Sequence, residues 1–356
     1  MLDFLIDYIK NAPLKMISYA EYMEQALYHP EYGYYKKNKT KIGPEGDFIT
    51  SSNISDIYGR TVAKWFYKEA LNHRLPYQVC EIGGGNGRFA KAFIEEWNLI
   101  SSDKLHYYIL ETSPYHRQLQ REQISFSENI RQIESLNKIS PFKGMIFLNE
   151  LFDALPVHVI EKTREGLSEI MVTINEGQLT EIAVPLKDKA IKLYLEESGL
   201  VLSGRQRIEI PLNMEPMIKD IADTLDQGMV LTVDYGYTNE EWGEPARRDG
   251  SLRGYYRHMQ FNNILERPGE MDITSHIHFD SLIRIGEKHG LQYVFKMRQD
   301  EFLLSAGILE DLESHNDPNP FSEKSKRNRA IRSLIMPSGI SSAFHIALQY
   351  KRMNAK

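Results

Sequence analysis

YQVCEIGGGNGRFAKAFIEEW, residues 77–97, carries the decisive pattern. Tyr77 to Ile82 is a run of strand length, and Arg88 to Trp97 places apolar residues at helical spacing. Between them lie Gly83, Gly84, Gly85, Asn86 and Gly87. A strand entering a helix through glycines puts flexible backbone at the carboxyl end of a parallel strand, where α/β sheets bind ligands. Without Cβ atoms, that backbone can approach a bulky ligand closely.

Outward from this turn the alternation continues. HYYILET, His106 to Thr112, predicts a second strand, and the helix expected from Pro114 through Gln123 has Ser113 as N-cap and Pro114 in its first position. Lys143 to Pro156 reads as a buried strand running into a polar turn. Gly228 to Tyr237 repeats that arrangement, ending in Asp234, Tyr235 and Gly236. Such alternation predicts a parallel sheet covered by helices. From about Val157 to Leu212 the pattern changes to period two with an Asn-Glu-Gly turn, the mark of an antiparallel insertion. A helix over Met214 to Leu225 returns the chain to the sheet. Asn239 to Thr274 is rich in Gly, Pro, Arg and aromatics, and a long ordered loop of this kind predicts a functional lid. FDSLIRIGEKHGL predicts a helix closed by Gly290, and FHIALQYK a last strand. The expected division is an N-terminal helical or lid segment, residues 1–75, and a core, residues 76–356, with insertions at about 157–212 and 239–274. KKNKTK and KSKRNR read as solvated loops.

With 42% hydrophobic and 26% charged residues, the 356-residue chain has a globular composition, not a fibrous, disordered or membrane-inserted one. No apolar run approaches the roughly 18 residues needed to span a bilayer. Its 43 basic and 49 acidic residues give a net charge of −6, which argues against broad attraction to nucleic acid or anionic membranes. Cys80 is the one cysteine, so an internal disulfide and a Cys-based metal site are both excluded. MLDFLIDYIKNAPLK lacks a basic start and a small-residue cleavage site, which leads to the expectation of a cytoplasmic location. Oligomeric state is not legible.

Two nucleoside cofactors fit the glycine turn. Gly85 to Ala90 satisfies G-x-G-x-x-A, and Glu111 stands at the end of the next strand, where it can accept both ribose hydroxyls; an NAD-dependent oxidoreductase is therefore one reading. Glu81 tips the balance. A carboxylate just before the glycines would repel a pyrophosphate but would face the cationic amino group of S-adenosylmethionine. A noncatalytic assembly factor retaining this fold is a third reading.

The E-x-G-x-G-x-G form resembles the first motif of seven-stranded S-adenosylmethionine-dependent methyltransferases. GDFITSS (Gly46 to Ser52), EIGGGNGRFA, LETSPYHRQLQ, NELFDALPV (Asn149 to Val157), VDYGY, GSLRGYYRH and PGEMDITSHIHF then occur in the order of the MidA family, over about Ile17 to Gly307. The resemblance implies an α/β, Rossmann-like class I core of seven strands, with an N-terminal helical lid and inserted antiparallel β or lid elements. It implies S-adenosyl-L-methionine as cofactor and a protein side chain as acceptor, arginine by analogy with mitochondrial relatives associated with arginine methylation of a complex I subunit. The GDFITSS segment, with Asp47, Thr50 and Ser51, is implied to close over the cofactor. Gly84 stands where many relatives carry proline, and is expected to loosen the loop without removing a binding group.

Cofactor contacts are thus expected from Glu81, Gly83, Gly84, Gly85, Gly87, Glu111, Thr50 and Ser51. Asn149, Glu150 and Asp153 follow the fourth strand, on the acceptor side of this fold. Glu150 and Asp153 are suited to hold a guanidinium by charge-assisted bonds and to favour its nucleophilic nitrogen. Asp234, which with Tyr235 ends the neighbouring strand, is a further catalytic candidate whose side chain can reach the cleft. Asn149 or Asp153 is alternatively a turn cap, and Asp234 a turn former. Arg253, His258, Asp272, Thr274, Ser275, His276 and His278 form another polar concentration. His276 and His278 have no third ligand at a telling spacing, so no metal is expected, and His276 is a candidate acceptor-side base. The aromatics of Glu21 to Tyr35 either stack on a ligand or pack the N-terminal helices.

Overall fold

The computed structural model describes residues 1–37, 55–312, 319, 321–336 and 340–353. Its strands, in chain order, are β1 (Met16–Ser18), β2 (Gln78–Ile82), β3 (His106–Leu110), β4 (Ile130–Ile133), β5 (Phe142–Asn149), β6 (His158–Lys162), β7 (Leu167–Asn175), β8 (Gln178–Pro185), β9 (Arg207–Ile210), β10 (Leu225–Tyr237), β11 (Arg253–Tyr256), β12 (Met259–Phe261), β13 (Asp272–Thr274), β14 (Ile277–His278), β15 (Gln292–Arg298) and β16 (Phe344–Lys351).

The large sheet runs β15-β16-β10-β5-β2-β3-β4, with short β14 beside the end of β10. β10, β5, β2, β3 and β4 are mutually parallel, whereas β16 is antiparallel to β10 and β15. From β2 the chain steps outward through β3 and β4, then returns to β5 on the other side of β2. The order therefore reverses between β2 and β5, and a crevice opens at their carboxyl ends, the place where such sheets bind ligands.

Both faces of this sheet are buried, so its central strands are apolar on both sides. Val79, Met145 and Phe147 face the helices Ile57–His73 and Arg88–Ile100, joining Phe66, Phe93 and Trp97. Cys80, Ile146 and Leu148 face Met214–Thr224 and Phe279–Lys288, joining Ile218, Ile221 and Leu282. At the amino end, β2, β5 and β10 come unusually close: a Cβ on Gly144 would lie 2.2 Å from the Gln78 carbonyl oxygen, and one on Gly228 would lie 1.9 Å from that of Gly144.

The antiparallel insertion forms a second sheet, β1-β7-β6-β9, with β8 paired to β7. Its Asn175-Glu176-Gly177-Gln178 hairpin has positive φ at Glu176 and Gly177, which matches the twist of the flanking strands. A helix absent from the expectation, Lys189–Ser198, is capped by Asp188. β1 comes from the N-terminal segment, whose helices Leu2–Asn11 and Tyr19–Met23 add Leu5, Ile9, Tyr22 and Met23 to one core with Val159, Val172 and Ile273. Residues 239–274 differ from the loop expected: they carry the helix Asn239–Trp242 and a small antiparallel sheet, β12-β11-β13. Three- and four-residue strands are too short to display a period. KSKRNR likewise lies in a helix, Glu323–Ile335, anchored by Ile331 and Leu334 beyond the basic run.

Candidate active site

The β2 glycine turn adopts the conformation its composition suggests. Gly83, Gly85 and Gly87 have φ of +76°, +51° and +85°, in the left-handed region. Gly84 is restricted by space instead, since its Cβ would meet Ile109 Cγ2 at 2.5 Å. The turn is tied to β3: Gly85 N–H donates to Glu111 Oε2 (2.9 Å), Ser113 N–H to Glu111 Oε1 (2.7 Å) and Gln120 Nε2 to the Gly85 carbonyl (2.8 Å). Glu81 is buried and accepts a hydrogen bond from Tyr107 (2.8 Å). Burial pushes its carboxyl up to about 8, against the opposing effect of the Tyr107 hydroxyl and with a further rise from Glu111.

Glu81, Gly83, Gly84, Gly85 and Glu111 line one cleft of about 170 Å³, together with Asn149 and Glu150 from the β5 turn. Gly87 stands behind it, against Gln120 and Ile124, where it starts the helix Arg88–Ile100. Thr50 and Ser51, with Asp47, lie outside the described residues. The donor set fits S-adenosylmethionine: a buried carboxylate for an ammonium, glycines without Cβ atoms, and a second carboxylate at the neighbouring strand end.

Beyond β5 the chain reverses at Glu150, a non-glycine residue with φ of +51°, whose N–H bonds the Val233 carbonyl at 2.9 Å. Asn149 Nδ2 donates to Glu150 Oε1 at 3.0 Å. Asp234 organises the turn that follows. Its Oδ2 accepts from the N–H groups of Phe152 (3.0 Å) and Asp153 (3.3 Å), and its Oδ1 from that of Tyr235 (2.9 Å). Asp234 is thus committed to backbone, the turn-forming alternative. Asp153 accepts a bond from the Tyr235 hydroxyl, while its Oδ1 is buried with no hydrogen-bond partner. Burial raises the pKa of both aspartates, and burial together with Asp153 takes Glu150 up to about 8.

Glu150 and Asp153 line a second cavity, of about 600 Å³, with Tyr235, Asp272 and His276 in its wall. Glu150 borders both spaces. His276 packs between the rings of Tyr235 and Tyr237, at 5.2 and 4.8 Å. Burial, then Arg247 and Arg253, lower its imidazole to about 4. His278 faces elsewhere, bonded to the Tyr194 hydroxyl at 3.0 Å and packed on Trp242. The two histidines therefore do not converge.

The aromatic segment divides between its two readings. Tyr22 and Tyr34 are core, whereas Tyr28 and Tyr35 line the cleft. The Tyr35 hydroxyl bonds Asp272 at 2.6 Å, and its carbonyl accepts from Ser113 Oγ at 2.9 Å. Glu134, Ser135 and Leu136 border a larger hollow of about 1050 Å³ that shares Gly83 and Glu111 with the cleft. Sequence reading missed them because β4 buries only Ile133 fully and has no apolar run to mark it.

A sequence-family model described as "Putative S-adenosyl-L-methionine-dependent methyltransferase" matches residues 61–296. The chain is similar to the mitochondrial protein arginine methyltransferase NDUFAF7 of Danio rerio, 27% identical over 339 residues, covering 85% of this chain and 76% of that protein. It is similar to the protein of that name from Homo sapiens, 24% identical over 323 residues, covering 82% and 70%. A crystal structure of a superfamily member from Burkholderia thailandensis bound to S-adenosyl-homocysteine superimposes with a TM-score of 0.90 at 24% identity, covering 99% of this chain and 92% of that one. That likeness gives an α/β methyltransferase fold with a mixed sheet. The expected cytoplasmic location does not stand, because these relatives are named as mitochondrial proteins. With a match that runs through the glycine turn, Glu111, the β5 turn and Asp234, the chain belongs to this family of S-adenosyl-L-methionine-dependent methyltransferases.

Proposed function

We propose that the enzyme methylates a protein side chain, arginine by analogy with the relatives' names, in the cavity bordered by Glu150 and Asp153. The observation that carries this is the position of Glu150: one carboxylate lines both the cleft with Glu81 and Glu111 and the cavity with Asp153 and Asp272. A guanidinium entering that cavity meets acids at the border with the cofactor cleft. The cofactor supplies an electrophilic methyl on a sulfonium. As the N–CH3 bond forms and the S–CH3 bond breaks, the guanidinium gives up one proton, for which the ionised Glu150 carboxylate is the acceptor; Asp153 and Asn149 hold the group in line. His276, a weak base in this setting, serves as cavity wall, and Asp234 as a positioning residue.

Within this reading Glu81 holds the cofactor's ammonium, Glu111 its ribose, and Gly83, Gly84, Gly85 and Gly87 its approach. The seven-strand path from β15 to β4 supports a Rossmann-like class I core in residues 76–356, with insertions at about 157–212 and 239–274. Residues 1–75 supply the helical lid. Helix Ile57–His73 packs within the core, so the covering function falls to the residues before it.

The test is methylation of arginine-containing proteins, read by mass spectrometry, alongside calorimetric titration with S-adenosyl-homocysteine and NAD. Wild type should bind the adenosyl ligand and ignore NAD. Glu150→Gln should bind it equally and methylate about 100-fold more slowly. Normal methylation by Glu150→Gln would remove the acceptor-site assignment.

A further inference from the structure

The acceptor cavity is not acidic throughout. Arg247, in the short turn Pro245–Arg247, borders it with its guanidinium 4.2 Å from the centre of the Tyr237 ring. The other charged groups near it are committed. Arg298 forms a two-point bond with Asp300 (3.0 and 2.7 Å), and Arg253 donates to the carbonyls of Leu252 and Gly250. Glu241 caps Asn239–Trp242 by accepting from the Thr238 N–H and hydroxyl, and its nearest cation is Lys296 at 3.8 Å. Among the described residues no carboxylate lies within ion-pair distance of Arg247, and its Nε is buried without a hydrogen-bond partner. A half-buried guanidinium laid over an aromatic ring in a cavity wall, with its Nε donor unsatisfied, suits a carboxylate: the planar fork donates two parallel bonds to it, and the ring fixes the plane.

The spacing fits a single ligand. Tyr235, which bonds Asp153, and Tyr237, which underlies Arg247, are two residues apart on β10 and so project to the same side about 6.6 Å from each other. Cation-binding and anion-binding ends thus stand within reach of one short stretch of substrate. We propose that Arg247 selects the methyl acceptor by binding a carboxylate close to the group being methylated. That carboxylate is an acidic side chain neighbouring the target in a polypeptide, or the α-carboxylate of a free amino acid. The inference rests on the acceptor-side reading of this cavity and adds the substrate class to it.

The test uses two acetylated, amidated peptides, Gly-Asp-Arg-Asp-Gly and Gly-Asn-Arg-Asn-Gly, and in parallel free L-arginine against L-argininamide. Initial rates at saturating S-adenosylmethionine are measured for wild type, Arg247→Gln and Arg247→Lys, with S-adenosyl-homocysteine affinity and melting temperature as controls of folding. The carboxylate-bearing member of a pair should have a kcat/KM at least about tenfold higher in wild type. Arg247→Gln should erase that ratio through KM, leaving kcat within about twofold and cofactor affinity unchanged, while Arg247→Lys keeps part of it. A preference confined to the peptide pair identifies the side-chain source, and one confined to the amino-acid pair the free acid. Equal kcat/KM within both pairs, or a preference that survives Arg247→Gln, overturns the proposal while leaving arginine methylation standing. If no arginine compound is methylated, the arginine reading fails separately. Calorimetry of the same peptides with citrulline for arginine, on protein loaded with S-adenosyl-homocysteine, then decides the inference: an Arg247-dependent preference for the Asp peptide upholds it, and none overturns it.

Discussion

Glu81 is held inside the protein by Tyr107 at a pKa that burial has moved up to about 8, so near neutral pH much of it is protonated before the cofactor arrives. The cofactor's ammonium pairs with the ionised form, so binding must release a proton. The sign follows: affinity rises with pH up to about 8 and levels off above it, by at most tenfold per pH unit. Calorimetry of S-adenosyl-homocysteine in buffers of different ionisation enthalpy should register up to one proton released per site at pH 7. Glu81→Gln should abolish that release and weaken binding by about 10- to 100-fold, the loss of a hydrogen bond to a charged group. Unchanged proton release in the variant would assign the titration to another group. Glu81, Glu111 and the glycines were readable because their spacing along the chain is also their spacing around the cleft. Asp272 and the aromatics up to Tyr35 stood out as separate features, but their meeting was not legible, because more than 200 residues separate Tyr35 from Asp272; Arg247 gave no signal of its own.

At the scale of elements, strands buried on both faces were the readable part. β2, β3, β5, β10 and β16 are apolar runs, and they fall where the sequence places them. β4 and the partly exposed β15 have mixed composition, and the sheet over residues 253–274 is made of strands too short for a period. Composition also gives no sign of how closely strands approach. Gly144 and Gly228 face each other in register, and a methyl at Gly144 would strike the Gln78 backbone, which cannot move without shifting β2 and the glycine turn beyond it. Gly144→Ala should therefore cost about 3 kcal/mol or more and also weaken cofactor binding, although it lies at the opposite end of the strand. Thermal unfolding together with S-adenosyl-homocysteine titration checks this; a loss of stability with unaltered affinity would mean that β2 absorbs the strain locally.

On the scale of the whole molecule, the chain is closed by its own beginning. The N-terminal helices and β1 share a core with β7 and β13, so the segment expected as a separate cover is built into the insertion and the small sheet at once. From that base Tyr34–Lys36 lies along the cleft, with the Tyr35 carbonyl bonded to Ser113, its hydroxyl to Asp272, and Lys36 Nζ to the Thr112 carbonyl at 3.3 Å. Tyr35 borders both the cleft and the acceptor cavity. A strap anchored in this way makes a prediction about timing: exchange of spent for fresh cofactor should break these bonds each cycle, a motion on the microsecond-to-millisecond scale or slower, whereas methyl transfer between aligned groups need not wait for it. Rapid quenching should then reveal a burst of about one methylated acceptor per enzyme before the steady rate, and Tyr35→Phe, which removes the bond to Asp272, should quicken the steady phase more than the burst. With no burst, chemistry is the slow step, and the enzyme's pace is set at Glu150 instead of at its N-terminus.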